Sequence, residues 1–120
     1  MVDDEDLVRR TVKSALQRYG YSVLPAENGQ DGIDLFHEVH DRVTAIILDM
    51  TMPVMGGEEA LAHLKAIDAT VPAILSSGFN EIEAIRRFTG RGLAGFVQKP
   101  YTARALAAKL KQVREHPQAM

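Results

Sequence analysis

The residues able to do chemistry in this chain are few: Asp3 and Asp4, Asp49, Ser77 and Lys99. If a fold collects them, the carboxylates repel one another unless a cation stands between them, and hard oxygen ligands select Mg2+, with Mn2+ as the alternative. A lysine ammonium adds a fixed positive charge, and a hydroxyl adds a hydrogen-bond donor. Metal, ammonium and hydroxyl together match the oxygens of a phosphoryl group, toward which a central carboxylate acts as nucleophile.

The elements that must position these residues are legible as alternating periods. Ala45 to Leu48 is apolar without alternation, the habit of a strand buried on both faces of a parallel sheet. Asp49 therefore stands at a strand's carboxyl end, where open α/β sheets bind their ligands. Behind Asp3-Asp4-Glu5-Asp6, whose charges also suit a helix N-terminus, Leu7, Val8, Val12, Ala15 and Leu16 recur at helical spacing until Gly20. Arg9, Arg10, Lys13 and Arg18 fall on the opposite, solvated face. Tyr21 to Ala26 predicts a strand near an edge because of Pro25. A helix over Asp31 to His40, the buried strand Val43 to Leu48, a helix over Glu58 to Ile67 and a strand over Val71 to Ser76 follow. A helix over Glu81 to Thr89, the short strand Phe96 to Gln98 and a last helix capped by Thr102 and running to about Arg114 complete the chain. Such alternation implies βαβ units and a parallel sheet, which brings Asp3-Asp4, Asp49, Ser77 and Lys99 to one rim.

Composition sets the outer bounds. With 120 residues, 46% of them hydrophobic and 25% charged, the chain reads as one domain over residues 1–116 with a short tail at 117–120. A net charge of −2 gives no basic field for nucleic acid. The absence of cysteine excludes disulfides, zinc-thiolate sites and thiol catalysis. No apolar run approaches the roughly 20 residues of a membrane span and no leader is visible, so a cytoplasmic domain without membrane contact is expected. His37, His40, His63 and His116 lack the paired spacing of a zinc helix and read as solvated. Met50, Met52 and Met55 read as loop packing. Arg86, Arg87, Arg91 and Arg104 read as solvated helix charge, with a partner face near the last two helices as the alternative.

Taken together, Asp3-Asp4-Glu5, Asp49 with Met52-Pro53 and Gly57, Ser77-Gly78 and Lys99-Pro100 make the chain resemble the receiver domain of a two-component response regulator. Two longer stretches, Ile74 to Asn80 and Gly92 to Tyr101, resemble the receivers at the C-terminus of hybrid sensor histidine kinases. The resemblance implies a doubly wound, flavodoxin-like parallel sheet of five strands in the order 2-1-3-4-5, flanked by helices. It makes Asp49 the phosphoacceptor, with Asp3, Asp4 and the Thr51 carbonyl completing a Mg2+ site. It puts Ser77 and Lys99 on the phosphoryl oxygens, couples Ser77 to an aromatic switch at Phe96, and implies a cis Lys99-Pro100 bond. The partner implied is a sensor histidine kinase or a histidine phosphotransfer domain. Gly56, where an acid is common, and Phe79, second after the switch hydroxyl, depart from the family pattern.

Other classes fit less well. A Mg2+-dependent aspartyl-phosphate phosphatase needs a second Asp two residues beyond the first, where Thr51 stands. A dinucleotide-binding domain needs a Gly-x-Gly-x-x-Gly after a strand, and none is present. A degenerate receiver used only for docking is hard to reconcile with an intact acidic, hydroxyl and lysine set. The expected role is therefore a signalling module rather than an enzyme in isolation. One feature stands against the family: the first strand, central in the resembling sheet, is largely truncated and represented by Met1 and Val2 alone. Lower stability, self-association through the truncated sheet, a frayed Asp3-Asp4 and weakened Mg2+ binding are the expectations that follow.

Overall fold

The computed structural model describes residues 1–49, 56–78, 82, 86, 92–99 and 101–115. Helix α1 runs Asp6–Arg18 and α2 Gly29–Val39, followed by a 3-10 turn at His40–Arg42. Strand β1 is Ile46–Asp49, α3 is Gly57–Ile67, β2 is Ala73–Ser77, β3 is Gly95–Gln98 and α4 is Ala103–Glu115. The strands form a parallel sheet in the order β1-β2-β3, with Leu48 opposite Leu75 and Leu75 opposite Phe96. Parallel bridges from Val2 to Leu48 and to Ala26 extend the sheet past β1. Read across, Ala26, Val2, β1, β2 and β3 give the flavodoxin-like order 2-1-3-4-5.

The unbroken apolar run of β1 is explained by two cores. Ile46 and Leu48 join Phe36, Leu61, Leu64, Leu75 and Phe96 on the α2 and α3 side. Ile47 joins Val12, Leu16, Ile74, Val97, Leu106 and Leu110 on the α1 and α4 side. Period-two side-chain direction with both faces covered leaves no position for a polar residue before Asp49.

Several helix ends are written locally. Gly20, at φ 88°, closes α1 with its N–H donating to the Gln17 carbonyl and the Tyr21 N–H to the Leu16 carbonyl. That is the left-handed stop glycine allows without strain. Asn28 Oδ1 accepts from the Asp31 N–H at 2.8 Å to start α2, and Thr102 Oγ1 accepts from the Ala105 N–H at 3.0 Å to start α4.

The first strand corrects the expectation of a frayed terminus. The Met1 amino group donates to the Leu24 carbonyl at 2.9 Å, the Ala26 N–H to the Met1 carbonyl at 2.8 Å, and the Asp3 N–H to the Ala26 carbonyl at 3.1 Å. On the other side the Val2 N–H donates to the Ile47 carbonyl and the Asp49 N–H to the Val2 carbonyl. Five ladder bonds over three residues hold the segment, and Asp3 is only 1% exposed. Gly32 on α2 lies so close that a Cβ there would meet Val2 Cγ2 at 2.6 Å.

Strand lengths differ from expectation for the same reason. Only Ala26 of Tyr21 to Ala26 forms a β-bridge, and Val43 to Ala45 lie outside β1. Extended backbone needs a neighbour, and the ladder between these two segments stops at Met1. The expected helix at Glu81 to Thr89 lies largely outside the described residues, with Ile82 and Arg86 described as helical. Residues 50–55, which include Thr51 and the three loop methionines, lie outside them too, as do Pro100, Arg87, Arg91 and residues 116–120. Among the described residues no helix is long and apolar enough to cross a membrane.

Candidate functional site

Each strand delivers its polar residue where its apolar run ends. Asp3 follows Val2, Asp49 closes β1, Ser77 closes β2, and Lys99 follows β3. Parallel register puts these ends side by side: Asp49 pairs with Ser76, and Ser77 with Gln98. The Lys99 N–H donates to the Ser77 carbonyl at 2.7 Å, tying the last strand to the rim.

The carboxylates of Asp3, Asp4 and Asp49 converge, with an oxygen from each within 4.8 Å of the others. Lys99 Nζ lies 3.1 Å from Asp3 Oδ2, 3.4 Å from Asp49 Oδ1 and 3.8 Å from Glu5 Oε1. Asp3 is oriented from below by the Glu5 N–H, which donates to its Oδ1 at 2.9 Å. Arg9 Nη1 donates to the Asp3 carbonyl at 2.8 Å, which turns an arginine expected on a solvated face into a support for the acidic turn. Its distance of six residues from Asp3 carries no helical signal, so periodicity alone does not find it.

Electrostatics follow from this crowding. Burial raises the Asp49 pKa, the Asp3 charge raises it further, and Lys99 pulls against both; with a hydrogen bond to Asp4 the net result is about 6. Burial works to lower Lys99, but Asp49 and Asp3 outweigh it and hold the ammonium above its ordinary value. Three converging carboxylates, with Glu5 at the edge, share one ammonium and leave an excess of negative charge that a divalent cation would offset. The donor set is all oxygen and fits Mg2+ or Mn2+.

Ser77 is 2% exposed and Phe96 7% exposed, its ring in the core on the α3 side. The structure thus brings Asp3, Asp4, Asp49 and Lys99 into contact and aligns Ser77 on the same rim. Thr51 and the Lys99-Pro100 bond fall on residues outside those described. Two hydroxyls lie buried behind the rim, Ser76 Oγ and Tyr101 Oη; burial raises the Tyr101 phenol, and its interaction with Ser76 works against that.

The comparisons agree with this geometry. The family model described as response regulator receiver domain matches residues 1–111. The sensor kinase CckA of Brucella abortus is 31% identical over 96% of this chain, and the regulatory protein AtoC of Escherichia coli is 33% identical over 84%. The chain spans 12% and 22% of the lengths of these relatives. A receiver domain crystal structure from Clostridium thermocellum superposes with a TM-score of 0.89 at 25% identity, covering 97% of this chain and 92% of that one.

Proposed function

Because the chain belongs to the response regulator receiver domain family, we propose that it is a phosphoacceptor module that takes a phosphoryl group from a phosphohistidine onto Asp49. The observation that carries this reading is the convergence of three carboxylates and Lys99 at the carboxyl ends of the strands. An Asp49 carboxylate oxygen forms the new bond to phosphorus as the phosphorus–nitrogen bond breaks and the histidine leaves with its electron pair. Lys99, at 3.4 Å from Asp49 Oδ1, neutralises charge on the incoming phosphoryl oxygens. Asp3, Asp4, Asp49 and the Thr51 carbonyl would hold Mg2+, which when bound offsets the repulsion between the carboxylates and the donor.

Ser77 would contact the phosphoryl group and bias the position of Phe96, a two-state response rather than turnover. In this reading the isolated domain is not an enzyme. Its donor is a sensor histidine kinase or a histidine phosphotransfer domain, and its setting is the cytoplasm, as a stand-alone regulator or part of a hybrid kinase.

The test is intact-mass measurement after incubation with a small-molecule phosphodonor. One phosphoryl adduct is expected with Mg2+, and none with EDTA or in Asp49→Asn. An unchanged adduct in that variant rules the assignment out. Continued hydrolysis of a phosphoester, many turnovers per chain, would favour a phosphatase instead.

A further inference from the structure

Lys99 is shared by three carboxylates that differ in one respect. Asp3 and Asp49, at 3.1 and 3.4 Å from its Nζ, are buried side chains, whereas Glu5, at 3.8 Å, is 63% exposed and stands on the solvent side of the rim. Glu5 is also the N-cap of α1, in extended backbone, yet its side chain makes no capping hydrogen bond. Asp, Asn, Ser and Thr suit that position better. The Glu5 backbone is fixed from both sides: its N–H donates to Asp3 Oδ1 at 2.9 Å, and its carbonyl accepts from the Arg9 N–H at 3.0 Å. Arg9 directs its guanidinium at the Asp3 carbonyl and Asp6, and Arg10 directs its own at Asp6. Among the described residues, the cation that the Glu5 carboxylate meets is therefore Lys99.

We propose that Glu5 selects the phosphodonor by charge: its carboxylate holds Lys99 at the mouth of the site and shifts the site toward monoanionic phosphoramidates, the class of phosphohistidine, and away from dianionic acyl phosphates. The proposal rests on the phosphoacceptor reading and narrows its substrate class. Asp3, Asp4 and Asp49 converge without Glu5, so Mg2+ held by those three offsets their charge and leaves that of Glu5 in place. Lys99 has to be shared between Glu5 and the phosphoryl oxygens when a donor arrives, and a donor coming from solvent meets the exposed carboxylate first. In water, each unit of like charge on the donor at such close range lowers its occupancy by a factor of about three to five. A dianion is therefore disfavoured more than a monoanion. Because Glu5 is exposed, the effect is screened by salt.

The experiment compares the whole chain with Glu5→Gln, Glu5→Lys and Glu5→Asp. The donors are acetyl phosphate, a dianion near neutral pH, and phosphoramidate, a monoanion there because its nitrogen is protonated. In both reactions an Asp49 oxygen bonds to phosphorus, as the acyl oxygen leaves with its electron pair in one and the nitrogen in the other. Intact-mass measurement gives the initial rate of the adduct at saturating Mg2+ and low monovalent salt. The rate ratio of acetyl phosphate to phosphoramidate should rise about threefold in Glu5→Gln and about tenfold in Glu5→Lys, and stay within about twofold of the parent in Glu5→Asp. Molar salt should bring the four ratios together. By calorimetry, the Mg2+ affinity of Glu5→Gln should stay within about threefold of the parent; a greater loss would place Glu5 on the metal and overturn the proposal. Rates that move equally for both donors, or not at all, would make Glu5 a structural residue and overturn it as well. Adducts from both donors at an unaltered ratio leave the phosphoacceptor reading standing and remove this one alone, whereas a parent chain that forms no Asp49 adduct with either donor overturns both.

Discussion

At the carboxyl ends of the strands the backbone is paired and the side chains are charged. At the amino ends, the backbones of Ser22, Val23, Thr44 and Ala45 make no hydrogen bond among the described residues, and the surrounding side chains are apolar. The first region is held by the ladder and strained by charge, since Asp3 and Asp49 are buried with one shared ammonium. The second is apolar around the Met1 ammonium, whose pKa burial pulls down to about 6. The contrast teaches that the site rests on the ladder of Met1–Asp3: these residues bring Asp3 and Asp4 to the rim because each of them is bonded to a neighbouring segment.

The largest test removes the ammonium. Lys99→Ala leaves Asp3 and Asp49 buried together without a countercharge, and should cost about 3 kcal/mol near pH 7.5, somewhat less than for a fully buried pair because Lys99 is 22% exposed. Thermal melts at pH 7.5 and pH 5 check it, with a smaller loss at pH 5, where Asp49 can take up a proton. An equal loss at both would mean that packing of the lysine stem, rather than charge, dominates.

The next test has the opposite sign. The folded state holds the Asp49 proton more tightly than the unfolded chain does. Its stabilising contribution is therefore fully present below about pH 3.8 and is lost as pH rises through about 6. Asp49→Asn should accordingly stabilise the metal-free chain at pH 7.5, by on the order of 2 kcal/mol after solvent screening, and change little at pH 4. Added Mg2+ should raise the melting temperature of the parent chain more than that of the variant. Urea denaturation at the two pH values measures both, and no gain at pH 7.5 would contradict the crowding of charge described above.

A smaller effect probes the link between the two ends. Gly32→Ala drives a methyl group against Val2, which carries the ladder on both sides, and should cost about 1–2 kcal/mol. Because Val2 precedes the acids directly, Mg2+ affinity should fall with it. A destabilised variant with parental Mg2+ affinity would show that the rim is insulated from the strand below.

The smallest change in stability is expected for Ser77→Ala, about 1 kcal/mol for a buried hydroxyl, with Mg2+ affinity kept within about twofold. What should weaken is the phosphorylation-dependent shift of NMR signals around Phe96, since only the phosphoryl group distinguishes the two states. Shifts equal to those of the parent chain would rule the coupling out.

The order of the described elements and several helix ends were determined by the sequence itself, through signals that act within a few residues: the 3.6 period of Val12 and Leu16, the stop at Gly20 and the cap at Thr102. The site residues were legible too, because a parallel sheet covered on both faces leaves polar groups only where strands end, as at Asp49 and Ser77. Tertiary structure alone decided what depends on a neighbour distant in the chain. Tyr21 to Pro25 and Val43 to Ala45 have strand sequences but no assigned strand, because extended backbone satisfies its hydrogen bonds only with a neighbouring segment. Asp3 is fixed rather than frayed because Ala26 reaches it across the sheet and Lys99 reaches it from the far end of the chain. Arg9 supports the acidic turn for a similar reason, since the bend between Asp3 and α1, not the period of the helix, points its guanidinium at the Asp3 carbonyl.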